Sequence, residues 1–196
     1  MELGLNASAK NYGNRIVKSV FLEGGGRKSV KRSALCYQTV VYLPWADYKA
    51  GFGSIDADFW LGLEEMHLLT SSQPYRLRVE VQQRTTNLWY SAEYWSFKIG
   101  DELNDKYRLE VSGYSGDAGD SLQYEGNNFH FYHSGMNFST YDQDNDVSVV
   151  HCAATRFGGW WFKECFMACL TCDMVRFQWY ADVGDLAACR MMVKRQ

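Results

Sequence analysis

Three segments of this chain, residues 76–81, 89–99 and 106–111, alternate apolar and polar residues. Successive side chains of a β-strand point to opposite faces, so this alternation predicts strands with one face in a core. The polar residues 101–105 predict a turn between the second and third strands. Together the three segments predict an antiparallel meander. The β-branched and aromatic run at 40–42 predicts a further strand.

Two other segments have the spacing of helices. Residues 45–50 predict a short helix that ends at Gly51, because glycine readily adopts the backbone angles found after a helix C-terminus. Residues 63–69 place apolar side chains on one face and predict a second, amphipathic helix that ends near Ser71. Residues after Ser121 show no clear periodicity and predict a loop-rich region with many aromatic side chains.

Composition narrows the class of protein. The 196 residues suit one domain with its own core. Aromatic residues form 16% of the chain, which is typical of a loop-rich fold packed on rings or of a recognition surface. The net charge of −3 lacks the basic excess of nucleic-acid-binding proteins. No apolar run is long enough to predict a membrane-spanning helix, and the first residues do not have the pattern of a signal peptide.

Carboxylates stand at alternate positions in an irregular segment, as Asp142, Asp144 and Asp146. Such groups can direct their oxygens at one hard cation, and calcium takes about six to eight oxygen ligands. An EF-hand loop is excluded, because it needs Gly at its sixth position and Glu at its twelfth. A loop that starts at Asp142 has Val147 and Ala153 there. A solvated acidic turn is the alternative interpretation.

The residues after this acidic loop carry a resemblance to a known family. Cys152-Ala153 is followed by Gly158-Gly159-Trp160-Trp161-Phe162-Lys163-Glu164-Cys165. Together with the acidic loop, this run resembles the fibrinogen C-terminal domain, also called the fibrinogen-related domain. Further matches occur in family order at 24–26, 45–53, 59–62, 75–79, 118–122 and 191–194. The resemblance implies an α+β fold, with an antiparallel sheet, short helices and a long loop-rich calcium and ligand subdomain.

The resemblance also suggests domain boundaries. Residues 1–35 are predicted to form an incomplete or frayed N-terminal segment, because the family's Gly-Gly-Gly-Trp run ends here in Arg27. Residues 36–196 are predicted to form the fibrinogen-related domain. Within it, residues 36–122 would supply the central sheet and helices, and residues 123–196 the calcium-loop and pocket subdomain.

Matched position by position, the resemblance implies a set of calcium ligands. The side chains of Asp144 and Asp146 and the backbone carbonyls of Ser148 and Val150 would bind the ion, with water completing the shell. Asp142 would brace the loop. Val150 stands where many relatives have glycine, and a carbonyl ligand tolerates a side chain there only if the backbone angles are not limited to glycine.

The six cysteines allow fifteen pairings, and the sequence alone does not choose among them. The resemblance implies one pair, Cys152 with Cys165, around a loop whose two glycines let the chain reverse direction. The spacing of Cys165, Cys169 and Cys172 also suggests zinc, although a single Cys-x-x-Cys is a weak signal and ordinary disulfides are the alternative. The pairing of Cys36, Cys169, Cys172 and Cys189 stays open.

The family's ligand pocket lies beside the calcium loop. In members that bind acetyl groups, its floor is a cis peptide just before the second cysteine, followed by histidine, and tyrosines of a later loop form its walls. The corresponding residues here are Glu164, Cys165 and Phe166, with Trp179 and Tyr180 as a partial aromatic platform or as core residues. Because Phe166 replaces the histidine and the later loop is shortened, we predict a degraded pocket with weak binding of N-acetylglucosamine.

The sequence does not support catalysis. A nucleophilic mechanism needs a nucleophile, a histidine base and an orienting acid, and no motif for such a set is present. His130 and His133 are predicted to be a surface pair. The tripeptides at Asn6 and Asn137 match the N-glycosylation pattern and are compatible with an exported glycoprotein.

The resemblance therefore implies a secreted, non-enzymatic recognition module with a structural calcium site. Its first interpretation is a lectin-like domain of innate immunity that binds glycans or pathogen surfaces. The alternatives are a protein-interaction module of the extracellular matrix or of a receptor, without sugar binding, and a decayed paralogue. Expected partners are glycans or extracellular proteins, with no nucleic acid and no membrane span. Homo-oligomers could form through regions outside this chain.

Overall fold

A computed structural model describes residues 17–18, 22–23, 41–54, 58–123, 132–165, 168–173, 177–179 and 182–196. The strands in these ranges are β1 (Val17–Lys18), β2 (Leu22–Glu23), β3 (Phe52–Gly53), β4 (Phe59–Trp60), β5 (Tyr75–Gln83), β6 (Trp89–Ile99), β7 (Leu109–Gly116), β8 (Ala168–Cys169), β9 (Gln178–Trp179) and β10 (Gly184–Arg195). The helices are α1 (Trp45–Ala50), α2 (Leu63–Ser72), α3 (Glu102–Asp105) and α4 (Cys152–Arg156).

The central sheet has the strand order β3-β4-β1-β10-β5-β6-β7. The strands β10, β5, β6 and β7 are antiparallel neighbours, so the predicted meander of β5, β6 and β7 is confirmed. The short strands β1 and β2 join β10 in parallel. A smaller antiparallel ladder links β8, β9 and the start of β10. The fold is α+β, as predicted.

Alternation along the strands produces the core. Leu77, Val79 and Val81 of β5 are buried, and the residues between them face outward. In β6 a register shift opposite β5 breaks the alternation, and Trp95 and the next residue are both exposed. This irregularity returns Phe97 to the buried face. One extra residue in a strand has this effect because it reverses the facing of every later side chain.

The predicted strand at 106–111 is wrong in its first half. The polar residues before it form α3, whose N-cap Asp101 accepts a hydrogen bond from the backbone N–H of Asn104 at 2.8 Å. Lys106 and Tyr107 then take positive φ angles of 45° and 55°, which strand geometry does not allow. Strand β7 therefore starts only at Leu109.

Both predicted helices are confirmed. Helix α1 ends at Gly51, whose φ of 90° lies in the region that favours glycine and whose N–H donates to the carbonyl of Asp47 at 2.8 Å. Helix α2 buries Leu63, Met66 and Thr70 against the sheet side. The backbone N–H of Ile99 in β6 donates to Thr70 Oγ1 at 3.0 Å, which fixes α2 on the inner face.

The strand predicted at 40–42 is not found at Val41 and Tyr42, and Val40 lies outside the described residues. The carbonyl of Val41 instead accepts a hydrogen bond from the hydroxyl of Tyr48 at 2.7 Å. Two short strands, β1 and β2, fall within the segment 1–35. The subdomain boundary between residues 122 and 123 stays a prediction. Strand β10, which follows that boundary in sequence, lies in the middle of the central sheet.

Aromatic rings fill the space between the sheet, the helices and the loops. Tyr48 packs edge-on against Trp60, and Phe138 packs edge-on against Trp161 with 5.0 Å between ring centroids. Such edge-to-face pairs contribute about 0.5–1.5 kcal/mol each beyond the area they bury. Of the seven tryptophans, Trp89 and Trp95 are exposed and the other five are buried. Core packing thus accounts for most of the tryptophans.

Candidate functional site

The acidic loop is anchored at both ends. Ser139 and Trp160 exchange two backbone hydrogen bonds, at 2.9 and 3.1 Å, which hold the loop to the Gly-Trp-Trp segment. Asp142 Oδ1 accepts hydrogen bonds from the hydroxyl of Thr140 at 2.7 Å and from the backbone N–H of Trp45 at 2.9 Å. Asp142 therefore ties the loop to the start of α1 rather than extending into the loop centre, the bracing role that the resemblance implied.

Asp144 and Asp146 lie together at the centre of the loop. Asp146 Oδ1 accepts from the backbone N–H of Ser148 at 2.9 Å, and its Oδ2 accepts from that of Cys152 at 2.9 Å. Asp144 Oδ1 accepts from the N–H of Asp146 at 3.2 Å. Burial raises the pKa of Asp146 to about 6, and the adjacent Asp144 adds to the rise, against the opposing effect of the two N–H donors.

The loop offers a donor set that fits calcium. Both carboxylates retain free lone pairs, because each carboxylate oxygen can accept more than one bond. Within the described residues, no hydrogen bond reaches the carbonyl oxygens of Ser148 or Val150. All four groups supply oxygen ligands, the type that calcium prefers. No cluster of three or more Asp, Glu, His or Cys side chains occurs in the described chain, so any ion here would rely on backbone oxygens.

Two disulfides frame this region. Cys152 is joined to Cys165, the pair that the resemblance implied, and Cys169 is joined to Cys172. A disulfide that closes a loop as short as that between Cys152 and Cys165 stabilises a fold by about 3 kcal/mol on the chain-entropy model. Because cysteines joined in disulfides have no thiolate to bind zinc, the zinc interpretation of Cys165, Cys169 and Cys172 is wrong. Cys36 lies outside the described residues, and Cys189 is buried in β10.

The two glycines of this loop do not use the backbone angles that only glycine readily adopts. Neither Gly158 nor Gly159 has a positive φ. They are required instead for close packing: a Cβ at Gly158 would lie 2.0 Å from the carbonyl oxygen of Thr171, and one at Gly159 would lie 2.7 Å from the ring of Tyr48. The backbone N–H of Gly159 donates to the Tyr48 hydroxyl at 3.0 Å, which uses the same close approach.

Of the residues carried over as a ligand pocket, the structure describes Glu164, Cys165 and Trp179. Trp179 is fully buried and its Nε1 donates to the carbonyl of Gly119 at 2.9 Å, so it is a core residue and the platform interpretation of Trp179 is wrong. Glu164 is half-buried and Cys165 is buried. The peptide between them is trans, unlike the cis peptide of the resemblance. Phe166 and Tyr180 lie outside the described residues.

His133 is a structural residue that the sequence interpretation placed wrongly. It is fully buried, not on the surface, and His130 lies outside the described residues. Its Nδ1 donates to the carbonyl of Trp161 at 2.7 Å and its Nε2 accepts from the N–H of Ala168 at 3.0 Å. This pair of contacts requires the neutral ring. Burial lowers the pKa of His133 to about 4. The sequence signal that could have indicated burial is the position of His133 within an aromatic segment.

An exposed apolar surface borders the acidic loop. Val147, Val149 and Val150 are exposed, and Val149 is completely so. The exposed ring of Tyr42 contacts two other exposed rings, those of Tyr141 and Phe157, at centroid distances of 4.6 and 5.4 Å. His151 follows Val150 in the chain, and its Nε2 lies 3.0 Å from the carbonyl of Thr140, which precedes Tyr141. We call the three valines and the three rings the loop surface.

The remaining sequence predictions concern glycosylation and membranes. Asn137 is half-buried, and the other two residues of its tripeptide, Phe138 and Ser139, are fully buried, so the position does not favour a glycan there. Asn6 lies outside the described residues. Among the helices that the structure describes, none is both long and apolar enough to span a bilayer.

Comparison with known proteins identifies the family. The sequence family model for the C-terminal globular domain of fibrinogen beta and gamma chains matches residues 23–184. The chain therefore belongs to the fibrinogen C-terminal domain family, as the sequence predicted. Microfibril-associated glycoprotein 4 of Mus musculus is 39% identical over 165 residues, which cover 80% of this chain and 61% of the relative. Tenascin-R of Homo sapiens is 42% identical over 128 residues, which cover 65% of this chain and 9% of the relative.

Solved structures agree with this assignment. The fibrinogen-like globe domain of human ANGPTL2 superposes with a TM-score of 0.70 at 32% identity, covering 80% of this chain and 74% of that domain. The lamprey fibrin D-dimer, solved in complex with the peptide ligand Gly-His-Arg-Pro-amide, superposes with a TM-score of 0.65 at 30% identity, covering 79% of this chain and 56% of the other. The chain spans less than two thirds of the length of the curated relatives it matches.

Proposed function

We propose that this chain is a non-enzymatic, extracellular protein-interaction module that uses a calcium-braced acidic loop. The observation that carries the proposal is the loop surface, where six exposed apolar or aromatic side chains border three carboxylates. Contiguous exposed apolar surface is a common mark of protein contact sites. Carboxylates at its edge favour a partner segment that carries basic side chains.

Two further observations support a protein partner over a lectin-type ligand. Trp179 is in the core, which removes the described part of the expected aromatic platform for an acetyl group. The related lamprey fibrin binds a peptide that contains a free amine, a histidine and an arginine. A basic peptide is the chemistry that an acidic and apolar loop would recognise. Lectin-like binding of glycans at this loop is the alternative function, and binding to N-acetylglucosamine resin tests it.

Calcium, in this proposal, holds the loop rather than reacting. The side chains of Asp144 and Asp146 and the carbonyls of Ser148 and Val150 would hold the ion. The positive charge would offset the repulsion between the two carboxylates and fix the backbone from which Val147 and Val149 project. Removal of the ion would then loosen the loop surface.

We expect millimolar calcium to raise the melting temperature of the domain relative to chelator. A ligand at 100 times its dissociation constant adds about 2.7 kcal/mol when it binds only the folded state. For a domain of this size the increase corresponds to roughly 5–10 °C. Differential scanning calorimetry of wild type and Asp144→Ala would measure it. The variant should lose the calcium effect, while Glu65→Ala, which removes an exposed carboxylate on α2, should retain it. An identical melting curve with and without calcium would refute the site.

We expect the domain to bind purified extracellular-matrix proteins in calcium through the loop surface. Immobilised wild type would be compared with Val149→Asp on a fixed panel of such proteins and on N-acetylglucosamine resin. Val149→Asp should weaken a calcium-dependent contact by roughly tenfold or more, because it places a charge in an apolar interface. Leu103→Asp, at an exposed site on α3, is the matched control and should bind as wild type. Retention on the acetylated resin, released by chelator, with no protein bound would favour the lectin function instead.

A further inference from the structure

The outer face of the central sheet, opposite the helices, carries a second unassigned surface. Because Leu77 and Val79 point into the core, their neighbours Arg76 and Arg78 point outward. In the adjacent strand β10, Arg190 pairs in register with Glu80 of β5. The two exposed tryptophans, Trp89 and Trp95, lie on β6 at the other side of β5. We define the arginine strip as Arg76, Arg78, Arg190, Trp89 and Trp95.

Each tryptophan of the strip carries an arginine on its ring. The guanidinium carbon of Arg76 lies 3.4 Å from the ring centroid of Trp95, and that of Arg190 lies 5.3 Å from the ring centroid of Trp89. Trp95 is 54% exposed and Trp89 is 43% exposed. Stacking on a ring holds a guanidinium flat and leaves its N–H groups directed outward in the plane, where they can meet oxyanions.

The nearby carboxylates offset only part of the positive charge of the three arginines. Glu80 accepts from Arg78 Nε at 2.8 Å and also pairs with Arg190, so one carboxylate serves two guanidinium groups. The side chain of Glu80 is 14% exposed, against 43% for Arg78. Glu93 pairs with Arg78 as well. Within the described residues Arg76 forms no ion pair. An arginine has five N–H donors, so several donors of the strip remain for a ligand.

The spacing of the cations fits a repeating anion. Arg76 and Arg78 are two residues apart on one face, which places their Cα atoms about 7 Å apart, and neighbouring strands are separated by about 4.8 Å. A single phosphate or carboxylate cannot reach such a set of cations together. A chain with a negative group on every unit can contact them in succession, through paired N–H donors of each guanidinium.

We propose that the arginine strip binds a linear sulfated glycan chain. The strip keeps a positive excess, because its three arginines outnumber Glu80 and Glu93, on a chain whose net charge is −3. Single-stranded nucleic acid is disfavoured, because it needs open aromatic faces on which bases stack, and both rings here carry an arginine. The strip is distinct from the loop surface and does not involve the acidic loop, so sulfated-glycan binding is independent of calcium.

The test uses a heparin oligosaccharide as the probe, with neutral dextran for comparison, in chelator and in calcium. We expect wild type to bind heparin but not dextran, equally with and without calcium, and more weakly as salt is raised. The pair Arg76→Gln and Arg190→Gln should raise the heparin Kd by roughly tenfold or more, because charge-assisted hydrogen bonds are lost at two positions. The pair Arg76→Lys and Arg190→Lys keeps the charge but loses the planar donors, and should give an intermediate loss.

The pair Lys49→Gln and Arg108→Gln is the matched control. It also removes two cations, each with a side chain about as exposed as that of Arg190, outside the strip. This control should bind heparin as wild type does. The proposal is overturned if the strip variants bind heparin as tightly as wild type, or if the control loses as much affinity as they do. It is also overturned if the strip substitutions weaken binding to vesicles that contain anionic lipid but do not weaken binding to heparin. Each binding measurement is also made in chelator. A wrong calcium site would therefore leave heparin binding unchanged, whereas a wrong arginine strip would leave it unaffected by the strip substitutions.

Discussion

Gly158→Ala is expected to destabilise the domain by more than about 3 kcal/mol. The new Cβ would lie 2.0 Å from the carbonyl oxygen of Thr171 and 2.8 Å from the Cα of Cys172, distances at which atoms overlap. Backbone atoms cannot rotate away as a flexible side chain can. The disulfide between Cys169 and Cys172 also limits the movement of that segment. Thermal unfolding should show a melting temperature lower by roughly 6–12 °C or more.

Gly135→Asn is the control for this experiment. Gly135 has a φ of 83°, which asparagine tolerates better than most residues, and no atom lies within 4 Å of its Cβ position. The change should therefore cost about 1 kcal/mol or less. If Gly158→Ala and Gly135→Asn have the same melting temperature, the close packing at Gly158 does not contribute about 3 kcal/mol to the stability of the domain.

His133 is expected to make the domain less stable in acid. Its folded pKa of about 4 lies below the usual value of 6.5, so the unfolded chain binds a proton that the folded chain excludes over that interval. The stabilisation is complete above pH 6.5 and is lost as the pH falls towards 4. A difference of this size corresponds to about 3 kcal/mol. The measurement is the free energy of unfolding by urea at a series of pH values, in chelator.

His133→Gln isolates this effect, since all carboxylates remain in the variant. The variant is less stable at pH 7, but the part of its pH profile between 6.5 and 4 should be flatter than that of wild type. An NMR titration of the His133 ring reports the same group directly. A ring that titrates near its usual value, together with parallel pH profiles, would contradict the buried neutral histidine.

Much of the sheet and of the helical layer could be predicted from the sequence, because local patterns specify it. Residues 76–81 alternate regularly, and Gly51 ends a helix by its own backbone preference. The prediction failed where distant contacts decide the backbone. Tyr107 is a strand-forming residue by type, yet it is buried at a positive φ and its hydroxyl pairs with Glu64 of α2.

The site was predictable to a similar extent. The acidic loop and the Cys152–Cys165 pair follow from a local run of residues that the family shares. The position of Trp179 does not, because burial of a ring depends on which segments pack over it. The arginine strip was also missed: its members come from β5, β6 and β10, and only the strand register places Arg190 beside residues more than a hundred positions earlier.

Strand β10 lies between β1 and β5, so residues 184–195 form the middle of the sheet although they follow the other described strands in sequence. Residues 184–195 are synthesised after the other strands that the structure describes, and the two halves of the described sheet have no shared partner until then. Long-range pairing of this kind gives a high contact order and slow folding. The nascent domain therefore presents open strand edges to chaperones while β10 is still being synthesised.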